Sequence, residues 1–246
     1  MAIRVLTLDF WNTIVVARAN GARRQAQRLE HLLHTVRAYR PEATEETVRT
    51  AYREAARRYE TMWKQQHRTP GASALIHGIW HALDLAVEET HHAETVTIFE
   101  DGVLFGPPDL AAGLENALAW AADHYRLGII SDTMFSPGRV IRRLLQRRGL
   151  LQYFDAFVFS DETGFSKPDI RAFEQAGAAL GVAAHEMAHI GDLHRTDVAG
   201  AQNAGLKAVL YTGVRTDPDD APAPDALLAH WRTLPEVMEH LAEDRS

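Results

Sequence analysis

The stretch that decides the fold lies at residues 3–13 and reads IRVLTLDFWNT. Its first six residues form a short apolar run with two polar interruptions, and the run ends at Asp9. Runs of this length and composition are typical of a strand that is buried on both faces of a parallel sheet. We therefore predict a buried first strand that carries Asp9 at its carboxyl end.

Four further apolar runs and three helical patterns continue the alternation that this strand begins. The runs are at residues 127–130, 156–159, 187–190 and 208–211, and the helical patterns between them are at 110–122, 140–148 and 170–180. Strands that alternate with helices of about 10–15 residues indicate β-α units and a parallel sheet. The predicted fold class is α/β, with a Rossmann-like parallel sheet covered by helices on both faces.

The alternation stops between residues 16 and 105, where apolar side chains recur only at the helical period of about 3.6 residues. An all-helical block placed directly after the first strand is typical of an inserted cap. We therefore expect an α/β core at residues 1–15 and 106–246, and a helical cap at residues 16–105, called here the helical insertion. A loop rich in Asp, Pro and Ala, at 216–224, precedes a last helix predicted near 234–241.

The composition excludes several classes of function. The 246 residues include no cysteine, which excludes disulfide scaffolds, thiolate metal sites and cysteine nucleophiles. The net charge of −7 argues against general nucleic-acid binding. There is no apolar run of the roughly 18 residues that a membrane helix needs, and the first residues lack a signal-peptide pattern. We expect a cytoplasmic protein without nucleic-acid or membrane partners, and the oligomeric state stays open.

The first two predicted helices of the insertion are basic. Residues 18–68 carry 12 cations and 6 anions. Two interpretations remain open: solvated helix faces with ion pairs one turn apart, or electrostatic attraction of an anionic substrate towards a cleft.

Residues with catalytic chemistry follow the predicted strands. Asp9 follows the first strand, Ser131 the second, and Lys167 comes shortly after the third. Asp192 follows the fourth, with Asp197 five residues further on. Because ligands of open α/β sheets bind beyond the carboxyl ends of the strands, we expect these side chains to converge at one edge of the sheet.

This set of groups suits phosphoryl transfer. Asp9 and Asp192 supply the hard oxygen ligands that Mg²⁺ prefers, and a cation between them would relieve their mutual repulsion. Lys167 adds a positive charge and Ser131 a neutral donor, both suited to phosphoryl oxygens. A carboxylate so placed, Asp9, can act as a covalent nucleophile.

The chain resembles the haloacid dehalogenase superfamily, whose members are mostly phosphatases. The resemblance extends over the whole chain and rests on four motifs: residues 9–13 (DFWNT), 129–132 (IISD), 167–169 (KPD) and 191–205 (GDLHRTDVAGAQNAG). It implies that Asp9 is the nucleophile and that Ser131 and Lys167 hold the phosphoryl oxygens. It also implies a Mg²⁺ site formed by Asp9, Asp192 and the backbone carbonyl of Trp11, with Asp197 nearby, either bound to the metal through water or in contact with the groups around it. The implied substrate is a small anionic, phosphorylated compound.

One position departs from the family pattern. Family phosphatases carry a second aspartate two residues after the nucleophile, which protonates the leaving group, and this chain has Trp11 there. An indole does not exchange protons near neutral pH, so general acid–base catalysis, worth about 10²–10⁴-fold, is lost or comes from another residue. Trp11 can instead exclude solvent or stack on a flat leaving group, or simply pack against the cap. We expect phosphate and metal binding to persist, with reduced ordinary phosphomonoesterase activity.

Several interpretations of this departure stay open. Another proton donor can substitute, with His194 or a histidine of the cap as candidates. Alternatively, the substrate has a leaving group that departs without being protonated, as in acyl phosphates. The reaction can be dehalogenation, because haloacid dehalogenases carry an aromatic residue at that position, although they lack the Gly191–Asp192 pattern and have Asn where Asp132 stands. Phosphonate cleavage would need a lysine of the cap, where only Lys64 exists. Finally, the chain can bind a phosphorylated ligand without turning it over.

Overall fold

A six-stranded, wholly parallel sheet forms the centre of the protein, in the order β5-β4-β1-β6-β7-β8. The computed structural model describes residues 2–217, 219 and 221–243. In chain order the strands are β1 (Val5–Leu8), β2 (Val15–Val16), β3 (Asp109–Leu110), β4 (Arg126–Ser131), β5 (Ala156–Phe159), β6 (Met187–Gly191), β7 (Lys207–Tyr211) and β8 (Ala226–Leu228). The architecture confirms the predicted α/β class with a parallel sheet.

Eleven α-helices of the described residues surround the sheet or lie in the helical insertion. They are α1 (Gly21–Tyr39), α2 (Glu45–Gln66), α3 (Gly71–Ala82), α4 (Glu89–Glu100), α5 (Gly102–Phe105), α6 (Leu114–His124), α7 (Gly138–Arg147), α8 (Ser160–Thr163), α9 (Ile170–Leu180), α10 (Ala199–Asn203) and α11 (Leu234–Glu243). None of the described helices is both long enough and apolar enough to cross a lipid bilayer.

The register of the sheet positions the candidate site. In β1, Leu8 lies level with Ile129 of β4 on one side and with Ile190 of β6 on the other. All three strands are parallel, so the residues that follow them emerge at the same edge. Asp9 therefore lies between the ends of β4 and β6.

The edge strand β8 was not predicted from the sequence. It has three residues, preceded by a segment rich in Pro and Asp, and is too short to show a strand pattern. Part of the preceding segment, which we predicted to be a surface loop, lies outside the described residues. One described residue of it, Asp217, is only 6% exposed and contacts the fourth motif.

A short antiparallel ribbon, β2 with β3, joins the two chain segments that enter and leave the helical insertion. Val15 pairs with Leu110 and Val16 pairs with Asp109. Within the insertion, α1 to α4 bury apolar side chains in a cluster distinct from those on the sheet, and Met134 and Phe135 of the core pack against that cluster.

A buried histidine fixes the packing of α3 against α4 in that helical cluster. The Trp80 indole Nε1 donates a hydrogen bond to Nδ1 of His92 at 3.1 Å, and Ser73 Oγ lies 3.0 Å from His92 Nε2. An indole N–H can only donate, so Nδ1 of His92 must be unprotonated. Burial and the adjacent His77 ring lower the pKa of His92.

We expect His92 to make stability fall with decreasing pH. Below the unfolded-state pKa of about 6.5, the unfolded chain binds a proton at this ring while the folded protein does not. Between that value and the lower pKa of the folded state, the free energy of unfolding therefore falls because of His92 by at most about 1.4 kcal/mol per pH unit. Urea unfolding from pH 7.5 to 5.5 tests this, because His92→Gln should weaken the dependence and the exposed-site variant His81→Gln should not. Equal pH profiles for wild type and His92→Gln would contradict the assignment.

Candidate active site

Asp9, Lys167 and Asp197 form a buried charge cluster at the carboxyl edge of the sheet. Lys167 Nζ lies 2.7 Å from Oδ1 of Asp9 and 2.5 Å from Oδ1 of Asp197. Burial alone would lower the pKa of Lys167, but the two carboxylates hold it above its ordinary value. Burial raises the pKa of Asp9, and Lys167 opposes that effect. The ammonium group is thus charged and fixed beside the predicted nucleophile.

The carboxylate of Asp197 is held by four protein donors. Besides Lys167, it accepts hydrogen bonds from the Leu193 backbone N–H at 3.0 Å and from Thr196 Oγ1 at 3.2 Å, and His189 Nε2 lies 3.1 Å away. Burial would raise the pKa of Asp197, but Lys167 and His189 keep it below its ordinary value. Because protein donors occupy both of its oxygens, Asp197 is better placed to orient Lys167 than to bind a metal directly.

Gly191 makes this approach of Asp197 to β6 possible. A Cβ atom at Gly191 would lie only 2.2 Å from Cγ of Asp197. The glycine of the Gly191–Asp192 pair therefore has a steric role, in that it lets the Asp197 carboxylate reach Lys167.

His189 is a site residue that the sequence reasoning missed. Its Nδ1 lies 2.9 Å from Thr7 Oγ1, and its pKa is lowered by burial. A neutral ring that donates from Nε2 to Asp197 and accepts the Thr7 hydroxyl proton satisfies both contacts. The available signal was a histidine in the middle of an apolar strand, where a buried polar side chain needs partners.

Removing the buried cation should destabilise the protein. Lys167→Met leaves two buried carboxylates without their counter-ion, and we expect a loss of about 3–5 kcal/mol in the free energy of unfolding at pH 7. The loss should shrink at pH 5, because protonation of the carboxylates relieves their repulsion. Urea unfolding measures it, and Lys64→Met, which removes an exposed pair with Glu60, is the matched control. A similar small effect for both variants would contradict the role of this cluster.

Asp192 lies at the end of the neighbouring strand β6, and within the described part of the chain Arg215 is its cationic partner. Arg215 Nε contacts its Oδ2 at 2.5 Å, from a side chain that is 42% exposed. Burial and the charges of Asp197 and Asp9 raise the pKa of Asp192 to about 7. The cluster therefore holds more negative charge than its neighbouring cations neutralise.

Mg²⁺ fits this donor set. In the described part of the chain, one oxygen each of Asp9 and Asp192 accepts no hydrogen bond, and both residues line the same cavity. Hard carboxylate oxygens that repel each other are suitable ligands for a small divalent cation that keeps several waters. Among the described residues, no cluster of three or more His, Asp or Glu side chains could hold a metal. The fit therefore rests on two carboxylates, with the Trp11 carbonyl as the third protein ligand that the resemblance implies.

Trp11 and Ser131 carry polar hydrogens without protein partners. The Trp11 Nε1 and the Ser131 Oγ are buried, and neither has a hydrogen-bond partner among the described residues. The Trp11 ring lines the cavity and packs edge-to-face on Phe10, with ring centroids 4.9 Å apart. Buried donors without a partner cost free energy, so both groups are candidates for a contact that the described residues do not supply.

His194, the candidate substitute for the missing acid, contacts the chain away from the cavity. Its Nδ1 lies 3.2 Å from Oδ2 of Asp217, and its backbone N–H donates to the same oxygen at 2.6 Å. It is not among the residues that line the cavity. The geometry thus favours a structural role for His194, with Asp217 as its partner.

The cavity has a volume of about 330 Å³ and lies between the sheet edge and the helical insertion. From the core it is lined by Asp9, Trp11, Asp132, Lys167, Asp192, Asp197 and Arg215, and from the insertion by Arg24, Arg28 and Trp63, among others. Of the predicted site residues, Ser131 and His194 are not in its lining. Its volume suits a small metabolite.

Trp63 of the insertion lines this cavity and contacts the α/β core. Its Nε1 donates to Oδ2 of Asp132 at 2.7 Å, and the Arg195 guanidinium lies 4.6 Å from its ring centroid. The other carboxylate oxygen of Asp132 accepts a hydrogen bond from the Lys167 backbone N–H at 3.0 Å. Asp132 therefore joins the second motif, the third motif and the insertion. Only the cation excess of residues 18–68 signalled that the insertion contributes to the site.

Comparison with known proteins places these features in a family. The sequence profile described as haloacid dehalogenase-like hydrolase matches residues 3–205. The glyceraldehyde 3-phosphate phosphatase of Methanothermobacter thermautotrophicus is 39% identical over 95 residues, 38% of this chain and 40% of that protein. The phosphoserine phosphatase of Thermus thermophilus is 42% identical over 94 residues, 38% of this chain and 37% of that protein. The chain thus matches about two fifths of the length of these curated relatives.

The fold is shared with solved structures over nearly its full length. The 2-haloacid dehalogenase of Pseudomonas syringae pv. Tomato superposes with a TM-score of 0.73 and 24% identity, covering 97% of this chain and 99% of that chain. At this level of identity the likeness establishes the fold.

Proposed function

This chain belongs to the haloacid dehalogenase-like hydrolase family, and we propose that it is a phosphohydrolase that acts on a small phosphorylated metabolite through Asp9. The observation that carries the proposal is the pairing of Asp9 with Lys167 at 2.7 Å, at the end of a central strand and in the wall of a cavity. Two of its curated relatives are named as phosphatases of small metabolites, which supports the same class of substrate.

The residues at the sheet edge divide the work of phosphoryl transfer. A carboxylate oxygen of Asp9 attacks phosphorus, an Asp9–phosphoryl bond forms as the bond to the leaving-group oxygen breaks, and water then hydrolyses the acyl phosphate. Lys167 neutralises charge on the phosphoryl oxygens, and the buried unpaired Ser131 hydroxyl donates to one of them. Asp197 and His189 keep Lys167 in position.

Mg²⁺ is the proposed cofactor, held by Asp9, Asp192 and the Trp11 carbonyl. When bound, it supplies positive charge beside the phosphoryl oxygens and the nucleophile. The carboxylates bind it in their ionised forms, so the raised pKa of Asp192 predicts weaker binding as the pH falls below about 7.

The helical insertion serves as a cap that excludes water and selects the leaving group. Trp63 and Arg28 bring two of its helices to the cavity. Because Trp11 cannot protonate a leaving group, turnover is fastest for leaving groups that need no proton, such as the carboxylate released from an acyl phosphate.

Dehalogenation is a second candidate, favoured by two observations. An aromatic residue, Trp11, takes the place of the acid, and a protein cation, Arg215, contacts Asp192 where a metal would otherwise balance its charge. In that reaction Asp9 displaces halide from carbon and forms an ester.

One panel of substrates distinguishes the two reactions. Phosphate release from acyl, aryl and sugar phosphates is measured with Mg²⁺ and with a chelator, beside halide release from 2-haloacids. We expect Mg²⁺-dependent release that is fastest from acyl phosphates. Halide release without phosphate release would replace the proposal with dehalogenation. If the protein released neither phosphate nor halide, the remaining interpretation would be that it binds a ligand without turning it over.

A further inference from the structure

Arg28 of α1 is a buried cation that has no acidic partner among the described residues. The residue is 8% exposed, and its Nη2 donates to the Phe99 carbonyl oxygen at 2.8 Å. Its Nε has no hydrogen-bond partner among the described residues, and the Tyr52 hydroxyl is a further polar neighbour. Burying an ion without a counter-charge costs several kcal/mol of folding free energy, and a bound anion would offset that cost.

The surroundings of Arg28 place its charge against the cavity. The guanidinium carbon lies 5.3 Å from the ring centroid of Phe99 and 5.1 Å from that of Phe135, and both Arg28 and Phe135 line the cavity. The aromatic rings hold the planar group while they exclude water from it. Burial lowers the pKa of Arg28.

The neighbouring Arg24 differs from Arg28 because its guanidinium donates hydrogen bonds to several backbone carbonyl oxygens. It donates to the backbone carbonyls of Ala17, Ala19 and Gly106, and so fixes the two chain segments at the base of the insertion. Its charge is nevertheless close enough to that of Arg28 for the two to repel each other. Within the described residues, neither arginine forms an ion pair with a carboxylate.

None of the four aspartates of the cavity forms an ion pair with Arg28. Asp9 and Asp197 are paired with Lys167, and Asp192 with Arg215. The fourth, Asp132, accepts hydrogen bonds at both of its oxygens. One cavity thus has a catalytic cation on the core side, at Lys167, and a separate unpaired cation on the side of the insertion.

We propose that Arg28 binds a second anionic group of the substrate, a carboxylate, so that the substrate is a phosphorylated organic acid. The proposal rests on the function proposed above for the phosphoryl end, and it assigns the other end of the molecule. A guanidinium that lines a ligand cavity can bind a carboxylate by charge-assisted hydrogen bonds, which supply both affinity and orientation. A substrate without this carboxylate leaves Arg28 buried and unpaired.

Calorimetric titration with non-hydrolysable probes tests the assignment in the presence of Mg²⁺. Phosphonoacetate carries a phosphonate and a carboxylate, methylphosphonate carries only the phosphonate, and succinate carries only carboxylates. Arg28→Met keeps the apolar stem and removes the charge, and Arg23→Met, at an exposed position of the same helix, is the matched control. Circular dichroism and urea unfolding establish that each variant folds.

We expect the wild type and Arg23→Met to bind phosphonoacetate at least about tenfold more tightly than methylphosphonate, a common magnitude for a charge-assisted contact. Arg28→Met should lose that preference and keep its affinity for methylphosphonate. Its stability should be unchanged or higher, because a buried unpaired charge has been removed. Equal affinities for the two phosphonates in the wild type, or a preference that survives in Arg28→Met, would overturn the assignment. A destabilised Arg28→Met with unaltered preference would show a purely structural arginine.

The probes also distinguish failure of the two proposals. Succinate binding that depends on Arg28, without binding of methylphosphonate, would support the carboxylate site and contradict the phosphohydrolase. If methylphosphonate binds as tightly as phosphonoacetate, the result would support the phosphohydrolase and contradict the carboxylate site. Absence of binding of all three probes to the wild type would overturn both.

Discussion

Replacing Asp9 with asparagine is expected to reduce phosphate release by at least about a thousandfold, because the amide is a poor nucleophile. The change is nearly isosteric and removes one of the repelling carboxylates near Asp192, so the fold should persist. Steady-state phosphate release from the best acyl phosphate of the panel measures the effect. The free energy of unfolding of the same protein sample establishes that the loss is chemical.

Asp217→Asn serves as the matched control for this variant. Asp217 is also a buried aspartate, but it contacts His194 and does not line the cavity. The control should keep most of the activity. A similar loss of activity in both variants, or turnover of Asp9→Asn within about tenfold of the wild type, would mean that Asp9 is not the nucleophile.

Replacing Trp11 with aspartate is expected to increase hydrolysis of alkyl and sugar phosphates by about 10²-fold, with 10⁴-fold as the upper range of general acid catalysis. The new carboxyl group would lie two residues after the nucleophile, where it can protonate a poor leaving group. Acyl phosphates should change little, since their leaving group needs no proton. The measurement is kcat/KM for both substrate classes in the wild type and the variant.

Trp11→Asn separates proton transfer from the additional space that loss of the indole creates. It has nearly the size of the aspartate variant without its acidity. We expect only Trp11→Asp to gain activity on poor leaving groups. Equal gains in both variants would assign the effect to access, and no gain in Trp11→Asp would indicate that another group already provides the proton.

Much of the fold could be predicted because the central strands are short and apolar. The strands that end before Asp9 and at Ser131, for example, are buried on both faces, and their alternation with helical patterns indicated a covered parallel sheet. The edge strand β8 and the ribbon of β2 with β3 have two or three residues each, too few for any periodicity. The pairing of such strands depends on tertiary contacts that the local sequence does not encode.

The core side of the candidate site could be predicted, whereas the side formed by the insertion could not. Residues that follow parallel strands converge by topology, which is why the convergence of Asp9, Lys167 and Asp192 could be predicted. Arg28 and Trp63 lie on long helices, and their approach to the cavity depends on how those helices cross the sheet edge. The orientation of His194 could not be predicted either, because its position in a motif does not show that its side chain contacts Asp217.

The most direct test of a phosphohydrolase that works through Asp9 is detection of the covalent intermediate. The protein is mixed with acetyl phosphate and Mg²⁺, quenched in acid within milliseconds to seconds, digested and analysed by mass spectrometry, with Asp9→Asn treated identically. We predict a phosphoryl group on the peptide that contains Asp9, absent from the variant and lost on incubation at neutral pH. A peptide that remains unmodified during measurable turnover of acetyl phosphate would contradict this mechanism. So would an unmodified peptide in that experiment together with an Asp9 ester in a parallel incubation with a 2-haloacid.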